Sequence, residues 1–223
     1  MIGILKINND DHLVSILQDI EIGVVTALQS ELDALIRLAD KNERISCSRT
    51  YHKLTFNHNG KSFSIIAYSL GHMGIASMSI SLMEMINTFK KLKYLSLIGI
   101  AAGSNSNEQD YGDLLIPETI YNYESGKYSE NKSRIPFIKN KIEFISDKKS
   151  HDIDVEIIQK IKAVTADESV LEKIQNSWPL EKKHKLKSHY GNFACGSSVI
   201  ASKLKINEIG ESISRKYIGL DME

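Results

Sequence analysis

Tyr94-Leu-Ser-Leu-Ile-Gly-Ile-Ala-Ala-Gly103, then a polar loop, then Tyr111-Gly-Asp-Leu-Leu-Ile-Pro117 is the stretch that decides the fold. A short apolar run ends in small residues, Gly99 and Ala101 to Gly103, where backbone can approach another group closely. A second apolar strand starts directly after Gly112-Asp113. Two strands flanking a small-residue turn point to a ligand site at a strand end in an open α/β sheet. A second such segment is Gly219-Leu-Asp-Met-Glu223, which reads as a strand entering a site.

Working outward, strand and helix patterns alternate. Ile22 to Leu28 is a buried-type strand, and Ser30 is placed to cap a helix carrying Leu32, Leu35, Ile36 and Ala39 on one face. Tyr51 to Phe56 and Ser62 to Ser69 are two strands joined by the turn His58-Asn59-Gly60. Gly74 to Phe89 is a helix apolar on more than one side, which suits a core or a subunit contact. Leu95 to Ile100 and Leu114 to Ile120 are strands, and Asn122 to Ser150, polar and poor in periodicity, is expected to be a long lid-like loop. Helices follow at Val155 to Val164 and Glu168 to Trp178, then a solvated basic connector, Glu181 to Ser188. A strand broken by Gly196 is expected over Gly191 to Ile200, a helix from Ser202 to about Arg215, and a last strand over Tyr217 to Glu223. This order predicts an α/β domain of three αβα layers, and the hairpin near residues 51 to 69 makes its central sheet mixed.

Bulk composition narrows the function. Lysine plus arginine equals aspartate plus glutamate at 28 each, so no nucleic-acid surface is expected. The apolar runs are strand-sized, so no membrane span is expected. Acidic residues stand where a secretory signal would have its apolar centre. Cys47 and Cys195 are too few for a disulfide framework, which suits a cytoplasmic setting. His184 and His189 lack partners at metal-ligand spacing, so no metal is expected, and no dinucleotide or phosphate-loop glycine pattern occurs.

Four acids stand where chemistry could be. Glu31 follows a strand and opens a helix, where it either compensates the helix dipole or polarises a water. Asp221 and Glu223 share one face of the last strand, and an ionised carboxylate accepts well from a diol; a solvent-facing strand end explains them equally. Asp113 reads as a turn aspartate that accepts from backbone N–H groups. Gly196-Ser197-Ser198 either bulges a strand or brings backbone against a ligand. Lys127 is a lone loop lysine, solvated or facing a phosphate.

Four ordered blocks carry a family resemblance: Ile22-Gly-Val-Val-Thr-Ala-Leu-Gln-Ser-Glu31, Leu70-Gly-His-Met-Gly-Ile-Ala76, Ile98-Gly-Ile-Ala-Ala-Gly103 with Gly112-Asp113, and Gly219 to Glu223. From about Glu21 to Glu223 the chain resembles the nucleoside phosphorylase and nucleosidase superfamily, which includes the methylthioadenosine/S-adenosylhomocysteine nucleosidases. The run Tyr121-Asn-Tyr-Glu-Ser-Gly-Lys127 and the Gly-Leu-Asp-Met-Glu ending look most like a branch found in bacterial signalling and defence proteins. The resemblance implies cleavage of a purine–ribose bond. It gives Glu31 the task of orienting the attacking water and Met222 and Glu223 the ribose contacts. Ala101, Ala102 and Gly103 would line the ribose and nucleophile pocket, and Val199 and Ile200 would sandwich the base. It implies no cofactor, a purine nucleoside or nucleotide as ligand, and a homodimer or larger homo-oligomer when complete.

The chain departs from the family pattern in three ways. The family's general-acid aspartate lies on a strand and loop beyond Glu223, so a domain lacking its last strand and helix is expected. Ile100 stands where phosphorylases hold phosphate with Ser or Thr, which favours hydrolysis over phosphorolysis. Val199 stands where the methylthioadenosine enzymes stack the base on an aromatic. Residues 1–20 fall outside the resemblance as an extension faintly similar to the start of a receiver domain, and 21–223 form the nucleosidase-like domain. Two alternatives to hydrolysis follow: a catalytically impaired nucleoside-sensing module, and a phosphorylase.

Overall fold

The computed structural model describes residues 20–71, 74–104, 108–131, 141–147, 149–177, 185–213 and 216–221. They form two compact units, one of residues before Ala101 and one from Ala101 to residue 221. The expected extension over 1–20 lies outside the described residues except for Ile20, which is buried in the core of the first unit.

The first unit contains β1 (Ile22–Thr26), α1 (Gln29–Leu38), β2 (Lys41–Ser46), β3 (Thr50–His58), β4 (Lys61–Ser69), α2 (Ile75–Thr88) and β5 (Tyr94–Leu97). Its sheet has the order β2-β3-β4-β1-β5. β1 runs parallel to both β4 and β5, while β2, β3 and β4 form an antiparallel meander. Successive strand residues face opposite ways. Val25 and Ile66 therefore meet Met78, Met85 and Phe89 on the α2 side, while Val24, Ile65 and Ala67 meet Leu32, Leu35 and Ile36 of α1. Both faces of β1 are covered, which is why its sequence is apolar throughout rather than alternating. Each fully buried side chain here, Leu54, Ile66 or Met85 among them, contributes about 1.5–3 kcal/mol by leaving water. This unit has the expected three layers. α2 buries one stripe and turns Ile80 and Met83 outward, both more than half exposed.

The turn between β3 and β4 matches the sequence reading. Asn59 and Gly60 have φ of 50° and 73°, the paired left-handed conformation that lets a two-residue loop follow the strand twist. One helix start differs. Ser30 lies inside α1, and Leu28 occupies the capping position; the Leu28 N–H is satisfied by the Glu31 carboxylate at 3.0 Å. β2 carries no strand pattern, since its Lys-Asn-Glu-Arg run is polar where it forms an outer strand.

The second unit contains β6 (Ala102–Gly103), β7 (Leu114–Asn122), β8 (Gly126–Asn131), β9 (Lys141–Ser146), β10 (Ser150–Asp152), α3 (Val155–Thr165), α4 (Glu168–Asn176), β11 (Ser188–Cys195), α5 (Lys203–Ile213) and β12 (Tyr217–Asp221). Its sheet has the order β10-β7-β11-β12-β6. β7, β11 and β12 are mutually parallel, and β6 and β10 close the edges antiparallel. The mixed α/β architecture expected from the sequence is thus present, with its strands divided between two five-stranded sheets and the two-stranded β8-β9 sheet. α3 and α4 begin at Asp154 and Asp167, whose carboxylates accept from main-chain N–H groups of their first turns.

Two expectations are corrected. The stretch Asn122 to Ser150 is not a plain loop: β8 and β9 pair antiparallel, with the Tyr128 and Phe144 rings 5.2 Å apart across the ladder. The strand expected over Gly191 to Ile200 begins at Ser188 and ends at Cys195, so residues 196–200 leave the sheet. No helix among the described residues is long and apolar enough to cross a membrane.

Candidate functional site

In the first unit the carboxyl ends of β1, β4 and β5 meet at one edge. Leu70 N–H donates to Thr26 O, and Ile98 N–H donates to Val25 O, carrying the strand pairing on past the strands themselves. Thr26, fully buried, donates its hydroxyl to Leu28 O at 3.1 Å. Ligands of open α/β sheets bind beyond such carboxyl ends. Thr26, Leu70 and Ile98, one from each of three blocks that carry the resemblance, lie at this edge.

Glu31 stands there. Its Oε2 accepts from Leu28 N–H at 3.0 Å and its Oε1 from Ile100 N–H at 2.9 Å. The first bond is local and belongs to the helix start. The second spans 69 residues and aims the carboxylate across the end of β5. Gly99 makes this possible, because a Cβ there would come within 2.9 Å of Oε1. An ionised carboxylate has about four acceptor sites, so roughly two remain for a water or hydroxyl. Ile100, whose side chain is 79% exposed and apolar, offers only its main chain to Glu31.

In the second unit a corresponding edge is fixed by register. Cys195 pairs with Asn122 of β7 and Asp221 of β12, so β7, β11 and β12 end together. β6 runs the other way, pairing Ala102 with Leu220 and Gly103 with Gly219, so it starts at that edge with Ala101 before it. Gly219 has to be glycine, since a Cβ would meet Ala102 O at 2.5 Å. Gln109, which carries no sequence signal, ties β6 to β12: its amide donates to Ile218 O at 2.8 Å and its carbonyl accepts from Ser104 N–H at 2.7 Å.

The loop from Gly196 to Ile200 follows β11 at this edge. Val199 is 64% exposed, whereas Ile200 packs against the core of Ala194, Ile209 and Leu220. Tyr123 and Glu124, two residues of the family-like run 121–127, hold the loop. The Tyr123 hydroxyl donates to Ser198 O at 2.8 Å, and Glu124 accepts from Ser197 N–H at 2.7 Å. Burial works against ionisation of Glu124, but hydrogen bonds from Ser198 and Ser197 outweigh it and hold the carboxyl below its usual range. Burial, with the nearby Glu124 charge, pushes the Tyr123 phenol up to about 12, so it stays a donor. Met222 and Glu223 lie outside the described residues.

Asp113 lies at the opposite, amino-terminal edge of this sheet. It accepts from the N–H groups of Asp110 and Lys187, the turn role expected of it, and pairs with His189 Nε2 at 2.8 Å. Lys127 is exposed on β8. Among the described residues no group of three or more His, Cys, Asp or Glu is arranged to hold a metal ion.

Several solved structures share this fold. A Borrelia burgdorferi protein assigned as a 5'-methylthioadenosine/S-adenosylhomocysteine nucleosidase, bound to adenine, superposes with a TM-score of 0.62 at 16% identity, covering 91% of this chain and 76% of that one. The Streptococcus pneumoniae nucleosidase with a transition-state inhibitor gives 0.61 at 16% identity, with 92% and 76% covered. A futalosine hydrolase mutant from Helicobacter pylori gives 0.60 at 16% identity, with 92% and 79% covered. No curated protein sequence matches significantly. A family profile described as the phosphorylase superfamily matches residues 21–223. The chain belongs to the phosphorylase superfamily.

Proposed function

We propose that the chain is an N-glycosidase that hydrolyses the base–ribose bond of a purine nucleoside or nucleotide. The observation that carries this reading is the Glu31 carboxylate, held by main-chain N–H groups at the carboxyl ends of parallel strands with acceptor capacity to spare. Glu31 orients a water and accepts its proton as the water oxygen bonds to the anomeric carbon. The electron pair of the breaking C–N bond leaves with the base, which takes up a proton from solvent, and Glu31 returns its proton to solvent. The sugar passes through an oxocarbenium-like state that a fixed carboxylate stabilises.

Ala101, Ala102 and Gly103 supply the small-residue pocket for ribose and nucleophile, and Met222 and Glu223 take the ribose contacts, with Glu223 on the hydroxyls. Val199 and Ile200 flank the base, Ile200 through its backbone. Ile100 supports water over phosphate as the nucleophile, because its side chain has no group to bond an anion. The solved structures with adenine or a nucleoside analogue support a purine ligand.

A chromatographic assay for free adenine or guanine across a panel of purine nucleosides and nucleotides tests the proposal. Base should be released from at least one member, and Glu31→Gln should slow release about 10³-fold, the scale of a lost general base. No release across the panel by the wild-type chain would reject it.

A further inference from the structure

We propose that Tyr123 and Glu124 are positioning residues that set purine affinity by fixing the loop Gly196–Ile200. This deepens the reading above and rests on it, since that reading gives Val199 and Ile200 to the base. Neither residue is asked to touch the substrate. Their effect is on the backbone of a loop that has left the sheet and has no strand partner of its own.

Each part of the loop is accounted for. Tyr123 N–H donates to Cys195 O at 3.1 Å, extending the β7–β11 ladder by one bond to the last residue before the loop. The Tyr123 ring then lies where a side chain at 196 would go: a Cβ on Gly196 would sit 2.2 Å from the ring. The phenol reaches on to Ser198 O, and Glu124 takes the Ser197 N–H. At the far end Ile200 is anchored by packing. Val199 is the residue left projecting, between one polar tie and one apolar tie. A loop tied on both sides of the exposed Val199 presents that side chain and the flanking amides in a single geometry, which lowers the entropy lost when a flat base docks. Because Tyr123 and Glu124 are adjacent in the turn that follows β7 while their bonds reach 75 and 73 residues along the chain, they act as one clamp.

The test uses the full chain with Tyr123→Phe, which deletes one hydroxyl, and Glu124→Gln, which keeps the shape and removes the charge. Thr165→Val, which breaks the bond between Thr165 and the Tyr190 hydroxyl elsewhere in the same unit, serves as a control for lost stability. Amide exchange at Ser197 to Ile200 should quicken about tenfold in each clamp variant, and Kd for free adenine or guanine by calorimetry should rise about tenfold, the scale of one lost hydrogen bond. KM should rise with Kd, while kcat stays within about twofold, because the residues reacting at the sugar are untouched. Unchanged exchange at 197–200, or an equal loss of affinity in Thr165→Val, overturns the clamp while leaving the glycosidase reading intact. A wild-type chain that binds neither purine and releases none overturns the functional reading and this role together.

Discussion

The two carboxyl edges solve one problem with different donors. In the first unit Glu31 accepts from a helix-start N–H three residues away and from one strand-end N–H. In the second unit Glu124 sits in the turn just past β7 and takes its bonds from the serines of the loop after β11. Both carboxylates organise main chain that regular structure leaves unpaired. Glu31 keeps acceptor capacity for something else, whereas several serine donors converge on Glu124 and lower its pKa. The contrast separates an acid available for chemistry from an acid spent on shape.

The comparison breaks most sharply at Gly99. Gly99→Ala puts a methyl against Glu31 Oε1, the mobile tip of a side chain, so the carboxylate moves and the fold does not. Base release should fall roughly 10²-fold, as a displacement of about 1 Å in a reacting group costs. The thermal midpoint should stay nearly constant; a large drop in it would place Glu31 among the structural acids.

Gly196→Ala is the matching change at the other edge and should act in the opposite way. The new methyl meets a packed ring rather than a flexible tip, so Tyr123 is forced out. Denaturant unfolding should show a loss of about 2 kcal/mol. Truncating Tyr123 in the same chain should make the second change much cheaper, because the two then share one clash.

Asp113 gives the smallest effect and a baseline for an acid with no assigned chemistry. Burial of its carboxyl raises the pKa, but the bond from His189 and the main-chain donors win and leave it lowered. A carboxyl depressed in the folded state contributes stability that is fully present above the unfolded value, about 3.9, and is lost as pH falls through the folded value. Asp113→Asn should therefore cost about 1.5 kcal/mol at neutral pH and flatten the decline of stability below about pH 4, measured by urea unfolding across that range.

What was legible in the sequence was local. The alternation and stripes of β1, α1, β4 and α2 reflect burial against immediate layers, and Asn59-Gly60 states its own turn. Glu31 could be singled out because its position three residues into a helix is visible in the chain. The role of Tyr123 is not visible in this way: its run 121–127 carries only a family resemblance within the loop expected over Asn122 to Ser150, and its partner lies 75 residues away. The Asp113–His189 pair is hidden in the same way, its members 76 residues apart along the chain. β8 and β9 were missed because Lys-Tyr-Ser-Glu-Asn offers little apolar alternation, and their pairing rests on contacts such as Tyr128 with Phe144.

One quiet feature governs how the molecule meets others of its kind. β2, outermost in its sheet, carries Lys41, Asn42, Glu43 and Arg44 in succession. A foreign strand approaching that margin would have to bury those charges to form its ladder, so the rim repels recruitment into fibrils.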